Sequence, residues 1–88
     1  DVKAEEFEAT WQATVTLDLH GNTQFQARVA LDAALRRSKG VYRIRAIHGY
    51  HNGTALREMI WREYAARPPV LRLEAVNEST TDLVLRDI

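Results

Sequence analysis

Apolar and polar residues alternate along four short stretches of this chain, and two longer stretches repeat apolar residues at helical spacing. Alternation over residues 14–20 predicts a half-buried strand, and a second strand is predicted over residues 41–47. Residues 77–80 predict a turn between the last two strands. Those two strands are predicted where apolar residues alternate again, at Leu71, Leu73 and Ala75 and then at Leu83 and Leu85.

Two helices are predicted between these strands. Thr23 and Gln26 match a capping box and start the first helix, which Gly40 should stop. Its apolar stripe comprises Ala27, Leu31, Ala34 and Leu35. The second helix should open near Thr54 and end at Pro68-Pro69. Its buried side should comprise Leu56, Met59, Ile60 and Tyr64, and Trp61 is also expected in the core.

The resulting order β-α-β-α-β-β predicts an α/β two-layer sandwich, with a mixed four-stranded sheet and two helices on one face. A helical crossover makes the first two strands parallel. Residues 1–13 are interpreted as a lead-in and residues 14–88 as one domain. The other face of the sheet should be open to solvent, with Thr14, Thr16, Arg43, Arg45, Arg72, Glu74, Asp82 and Arg86 on it.

Composition narrows the class of protein. The 12 basic and 12 acidic residues cancel, so the chain lacks the basic excess typical of strong nucleic-acid binders. Arginine outnumbers lysine, which suits phosphate contacts, although a GC-rich genome gives the same bias. There is no cysteine for a disulfide or thiolate metal site, and no apolar run that could span a membrane. We therefore expect a cytoplasmic protein.

The first two strands both run into His-Gly, at His20-Gly21 and at His48-Gly49. Open α/β sheets bind ligands beyond the carboxyl ends of their parallel strands, so the two imidazoles are expected to share one pocket. Two histidines can divide the proton transfers of phosphodiester cleavage, although each can also be a polar strand end. Asp18 precedes His20 by two residues, so it can orient the imidazole or help hold a divalent metal such as Mg²⁺ or Mn²⁺.

The loop HGYHNG after the second strand leads into a helix N-terminus, where free amides attract anions. We expect Gly53, Thr54 and Arg57 to hold a phosphate there, and Tyr50 to stack on a base. Gly21, Gly49 and His51 complete the predicted phosphate-binding set. The His48-x-x-His51 spacing fits no known zinc motif.

LDLHG, followed by Thr23, Gln26 and Ala27, resembles the first motif of the Smr (small MutS-related) domain family. IHG at residues 47–49, followed by Leu56-Arg57, resembles its second motif. The resemblance covers about residues 14–86 and implies a fold similar to the C-terminal domain of translation initiation factor three. It departs at HGYH, where the family pattern is HGxG, and at the turn 77–80, which lacks the family's glycines.

The resemblance implies a nucleic-acid endonuclease that acts on DNA or RNA, with catalytic roles for Asp18, His20 and His48. A MutS-like parent chain or the ribosome is an expected partner, and no membrane is. Two alternatives stay open. One is a non-catalytic module that binds nucleic acid or the ribosome, and the other is a protein-interaction domain that uses the mixed-charge face of the sheet.

Overall fold

The computed structural model describes residues 13–51 and 53–87. Residues 1–12 of the predicted lead-in lie outside these ranges, and its last residue, Ala13, is instead the first residue of a strand. The described chain forms strands and helices in the predicted order. The strands are β1 (Ala13–Asp18), β2 (Val41–Ile47), β3 (Arg72–Asn77) and β4 (Thr80–Val84), and the helices are α1 (Gln24–Arg36) and α2 (Ala55–Glu63).

The strands form one mixed sheet in the order β1-β2-β4-β3. β1 and β2 are parallel as predicted, and β4 runs antiparallel to both β2 and β3. Asp18 and Thr80 both pair with Ile47, and the N–H of Leu19 donates to the Ile47 carbonyl at 2.7 Å. The ends of β1 and β2 and the start of β4 therefore meet at one edge of the sheet.

Both helices pack against the sheet through the apolar stripes that the sequence predicts. Ala27 and Leu31 of α1 and Met59 and Ile60 of α2 are fully buried in one core cluster with residues of β2 and β4. The predicted capping box is present at the start of α1. Because α1 begins directly after His20-Gly21, this cap also fixes the path of the chain through that edge.

α2 ends earlier than the sequence predicts. The helix stops at Glu63 and Tyr64 caps it, whereas the expected stop was Pro68-Pro69. Tyr64 is fully buried as predicted, and its hydroxyl donates to Asp32 on α1 at 2.7 Å. The N–H of Val70 then donates to the Arg67 carbonyl at 2.7 Å, which closes a turn instead of a further helical turn.

Three core predictions are wrong. Leu71 is 55% exposed and Ala75 is exposed, because they lie before and within β3, an edge strand of the sheet. Trp61 is 37% exposed, although its indole N–H donates to the buried hydroxyl of Thr81 at 3.1 Å. Leu85 is buried as predicted, although it lies just beyond the end of β4.

The charged face of the sheet is less open than the alternation predicts. Asp82 is fully buried, because Arg43 and Arg45 of the neighbouring β2 fold over its carboxylate at 2.7–3.0 Å. Burial raises the pKa of Asp82, but hydrogen bonds from Arg45 and Arg43 outweigh it and leave the pKa lowered. These charges therefore bind one another across β2 and β4, which ties the two strands in register.

Neither described helix is long and apolar enough to cross a membrane.

Candidate functional site

A pocket of about 350 Å³ lies at the edge where β1 and β2 end. It is lined by residues 20–24 after β1, residues 48–51 after β2, and residues 53, 55 and 56 at the start of α2. His20 and His48 thus reach one pocket, as the two strand ends predict. Three separate segments of the chain form its wall, so the pocket depends on the whole sheet and not on one loop.

His20 is held by Asp18, and both side chains are exposed to solvent, by 69% and 59%. Nδ1 of His20 hydrogen-bonds Oδ1 of Asp18, and the backbone N–H of His20 donates to the same oxygen at 3.3 Å. The hydrogen bond from the His20 side chain lowers the pKa of the Asp18 carboxyl below its ordinary value. Because Nδ1 carries the proton in this pair, Nε2 is the nitrogen that is left to exchange a proton with a ligand.

His48 has a different environment: it is only 4% exposed and both of its ring nitrogens are bonded. Nδ1 lies 2.9 Å from the carbonyl of Gly49, and Nε2 lies 3.0 Å from the hydroxyl of Thr81. The indole N–H of Trp61 donates to that same hydroxyl at 3.1 Å. A carbonyl only accepts and an indole only donates, so Nδ1 carries the proton and the hydroxyl of Thr81 donates to Nε2.

At Gly49, the loop that follows β2 passes close to His20, which follows β1. The backbone of Gly49 has φ +74°, and a Cβ added there would lie 3.3 Å from Cβ of His20. The N–H groups of His48 and Gly49 both donate to the Ser79 carbonyl, at 2.9 and 3.0 Å. The glycine is therefore needed where the loop passes His20, and the turn before β4 holds the loop in that position.

The structure brings five of the seven residues of the predicted phosphate-binding set to the pocket wall: Gly21, Gly49, Tyr50, His51 and Gly53. Tyr50 and His51 are exposed, and their rings stack with centroids 4.4 Å apart. An aromatic surface therefore borders the pocket on the side of the loop, where a flat ligand such as a base can stack.

Thr54 and Arg57 do not line the pocket within the described residues. The hydroxyl of Thr54 donates to the carboxylate of Glu58 at 2.7 Å, so this acidic side chain occupies the first turn of α2. Arg57 is exposed and forms no ion pair with the residues that the structure describes, although it does lie in that first turn as predicted. Its positive charge therefore stands near Glu58 and outside the pocket.

The sequence did not predict Thr81, Trp61 and Ser79 as residues of this edge. Alternation in β4 places Thr81 toward the helices, but only the fold shows that it meets His48. Of pocket residues 22–24, only Thr23 was predicted to have a role, as part of the helix cap, and their contribution to the pocket wall follows from the tight turn after β1. A buried threonine on a strand next to a His-Gly edge is a weak signal, because hydroxyls in strands are common.

A metal ion would find few ligands here. Among residues 13–51 and 53–87, no three His, Cys, Asp or Glu side chains form a group that could hold one. The expected pair, Asp18 and His20, hydrogen-bond each other. Mg²⁺ and Mn²⁺ prefer oxygen ligands, and of this pair only the Asp18 carboxylate supplies them.

The fold agrees with that of a domain of known structure. The crystal structure of the Smr domain of Thermus thermophilus MutS2 superimposes with a TM-score of 0.72 at 26% identity, over 83% of this chain and 99% of that chain. No curated protein matches the sequence. The Smr domain family matches residues 17–81, a span that contains both His-Gly pairs, both helices, β2 and β3. The chain therefore belongs to the Smr domain family.

Proposed function

We propose that this domain binds nucleic acid and cleaves its phosphodiester bonds, with His20 as a catalytic residue that Asp18 orients. The observation that supports the proposal most directly is the bond between Asp18 and Nδ1 of His20, at the mouth of a pocket. An imidazole in this arrangement presents Nε2 to a ligand, and the carboxylate stabilises the positive charge that forms when Nε2 takes a proton.

The proposed step is proton abstraction from the attacking hydroxyl. Nε2 of His20 accepts the proton as that oxygen forms its bond to phosphorus and the bond from phosphorus to the leaving oxygen breaks. The attacking hydroxyl belongs to water or, in RNA, to the 2′ position of the ribose. The step uses only side chains of this chain and assigns no part to a metal ion.

Binding is proposed to come from the pocket wall and not from net charge, which is zero. Ala55 and Leu56 border the pocket at the start of α2, where backbone N–H groups have no helical partner and favour an anionic group. The stacked rings of Tyr50 and His51 offer a surface to a base on the other side. In this proposal the phosphate lies at the start of α2, and the adjacent base stacks on the rings of Tyr50 and His51 on the other side of the same pocket.

The His48 ring is proposed to support the site and not to transfer protons. Its two nitrogens are engaged by Gly49 and Thr81, and the ring is buried. The proton transfers of catalysis require a nitrogen that can reach the substrate. We therefore assign to His48 the task of holding Gly49 against His20.

Cleavage of a labelled single strand, a duplex and a nicked circle, as DNA and as RNA, tests the proposal. His20→Ala should lower the rate about 10²–10⁴-fold, since it removes a proton-transfer group. The unfolding midpoint should stay nearly unchanged, because the side chain is exposed. Parallel reactions with a chelator and with added Mg²⁺ or Mn²⁺ measure whether a metal contributes.

Retention of the wild-type rate by His20→Ala would contradict the proposal. Binding without cleavage in the wild-type domain would support the non-catalytic alternative, and the slope of affinity against salt would then show how far phosphate contacts drive the binding. A MutS-like parent chain is the context that the likeness to the MutS2 domain supports, and the ribosome is the other proposed partner.

A further inference from the structure

Acid–base cleavage of a phosphodiester needs two proton transfers, and the function proposed above uses one group for the first. The attacking oxygen loses a proton to His20, but the leaving oxygen must gain one, because an alkoxide is a poor leaving group. A second group with an accessible proton is therefore required on the wall of the same pocket.

Three imidazoles line that pocket, and two of them are already accounted for. His20 is the base, and its Nδ1 is bonded to Asp18. His48 has one nitrogen on the Gly49 carbonyl and the other on Thr81. His51 is the remaining imidazole, and the family pattern does not point to it, because a glycine stands at this position in HGxG.

His51 has the placement that a proton donor needs. The residue is exposed and lines the pocket, in the loop that Gly49 brings alongside His20. Its ring stacks on Tyr50 with an interplanar angle of 27°, which restrains the plane of the imidazole without using either nitrogen. Within the described residues neither ring nitrogen of His51 has a hydrogen-bond partner. The ionisable groups around it on the pocket wall are His20, His48 and the Tyr50 phenol.

We propose that His51 is the second proton-transfer group of this domain and acts as the general acid; the proposal rests on the function proposed above. As the attacking oxygen gives its proton to Nε2 of His20, protonated His51 gives a proton to the leaving oxygen and the bond from phosphorus to that oxygen breaks. One proton enters the protein and one leaves it, so the two imidazoles exchange their protonation states in each turnover. Solvent exchange then restores them.

The rival role for His51 is that of a cation that binds phosphate. The two roles differ in how they depend on the leaving group. A p-nitrophenolate leaves phosphorus without being protonated, so a general acid is not needed for it, whereas a phosphate-binding cation is needed for either leaving group. A substrate pair that differs only in the leaving group therefore separates them.

The test compares wild type, His20→Ala, His51→Ala and His51→Gln on two substrates. One is a single strand, DNA or RNA, that the wild-type domain cleaves, and the other is the same strand ending in a 3′-p-nitrophenyl phosphate diester. On the ordinary strand, both His51 variants should be about 10²-fold slower. On the nitrophenyl ester at saturating substrate, where the loss of the His51 ring as a binding surface does not limit the rate, they should retain a rate within about threefold of wild type, whereas His20→Ala should be slow on both substrates.

Equal losses on both substrates for the His51 variants would overturn the assignment in favour of phosphate binding, and no loss on either would remove His51 from the reaction. Both results leave the proposed function standing, provided that His20→Ala is inactive. Absence of cleavage by the wild-type domain on every nucleic acid would instead remove the proposed function and this inference together.

Discussion

The two His-Gly pairs are nearly identical in sequence and opposite in structure. His20 is mostly exposed and has one ring nitrogen bonded, to Asp18, whereas His48 is buried and has both ring nitrogens bonded. Gly21 lies in open space, whereas Gly49 lies against His20. The same dipeptide therefore exposes an imidazole at one strand end and buries a fully hydrogen-bonded imidazole at the other.

The position of each strand in the sheet explains the difference. β1 is an edge strand, so the residue that follows it meets solvent on one side. β2 lies between β1 and β4, so the residue that follows it meets Thr81 of β4 and, through that hydroxyl, Trp61 of α2. A histidine at the end of a central strand is thus surrounded by hydrogen-bond partners that a histidine at the end of an edge strand lacks.

His48→Ala should produce the largest change in stability. The substitution leaves the Gly49 carbonyl and the buried Thr81 hydroxyl without the ring, and an unsatisfied buried polar group costs about 1–3 kcal/mol. Chemical denaturation of His48→Ala and of His20→Ala measures the contrast, since the exposed His20 should contribute less than about 0.5 kcal/mol. Equal losses of stability in the two variants would contradict the proposal that His48 supports the site and that His20 is the reactive group.

Gly49→Ala and Gly21→Ala form the second comparison. Both glycines have positive φ, +74° and +80°, so each alanine should cost about 1–2 kcal/mol of unfolding free energy through backbone strain. Only at Gly49 would the new Cβ press on His20, at 3.3 Å. Gly49→Ala should therefore also slow cleavage by about tenfold, or about 1.4 kcal/mol in activation free energy, whereas Gly21→Ala should not.

A result in which both glycine variants lose equal activity would show that strain alone, and not the contact with His20, governs the site.

Much of this edge was predictable from the pattern of the sequence, and the part that was not depends on packing. Alternation and the helical crossover place His20 and His48 at one edge, because parallel strands end on the same side. The spacing of Asp18 and His20 also predicts their contact. The proposed roles of His48 and His51 were not predictable, since the burial of His48 depends on its contact with Thr81 of β4, which lies 33 residues away in sequence.

The failed core predictions have the same origin. Local alternation predicts that Leu71 is buried and that Asp82 is exposed to solvent. In the structure Leu71 is exposed and Asp82 is buried. Leu71 precedes an edge strand, and Asp82 lies on a strand with neighbours on both sides, whose two arginines cover it. Strand order therefore determines burial in this sheet as much as alternation does, and strand order cannot be predicted from a local sequence pattern.

Trp61→Phe should have a smaller effect on the buried histidine. The variant keeps an aromatic ring but removes the indole N–H that donates to Thr81. One such hydrogen bond contributes about 0.5–1.5 kcal/mol to the free energy of unfolding. Nitrogen NMR should still show the proton of His48 on Nδ1, because the Gly49 carbonyl fixes it there. A change of tautomer in Trp61→Phe would mean that the indole, and not the loop carbonyl, determines the state of the ring.

The smallest expected effect is the pH dependence of the exposed pair. The hydrogen bond from His20 lowers the pKa of Asp18 below its ordinary value of 3.8, so the folded state binds its proton less readily than the unfolded state does. The stability that this carboxylate contributes is therefore fully present above pH 3.8 and is lost as the pH falls through the lower pKa of the folded state. Asp18→Asn should thus unfold slightly more easily than wild type at pH 7, and the difference should disappear in strong acid.

Glu63→Gln is the matched control, because Arg28 lowers the pKa of Glu63 to about 2 in a less exposed pair between the helices. Its difference from wild type should be larger, fully present above pH 4.5 and lost as the pH falls toward 2. Denaturation midpoints of the three proteins from pH 7 to about pH 2 measure both differences, and a difference for Asp18→Asn that stayed constant over this range would show that its charge does not hold His20.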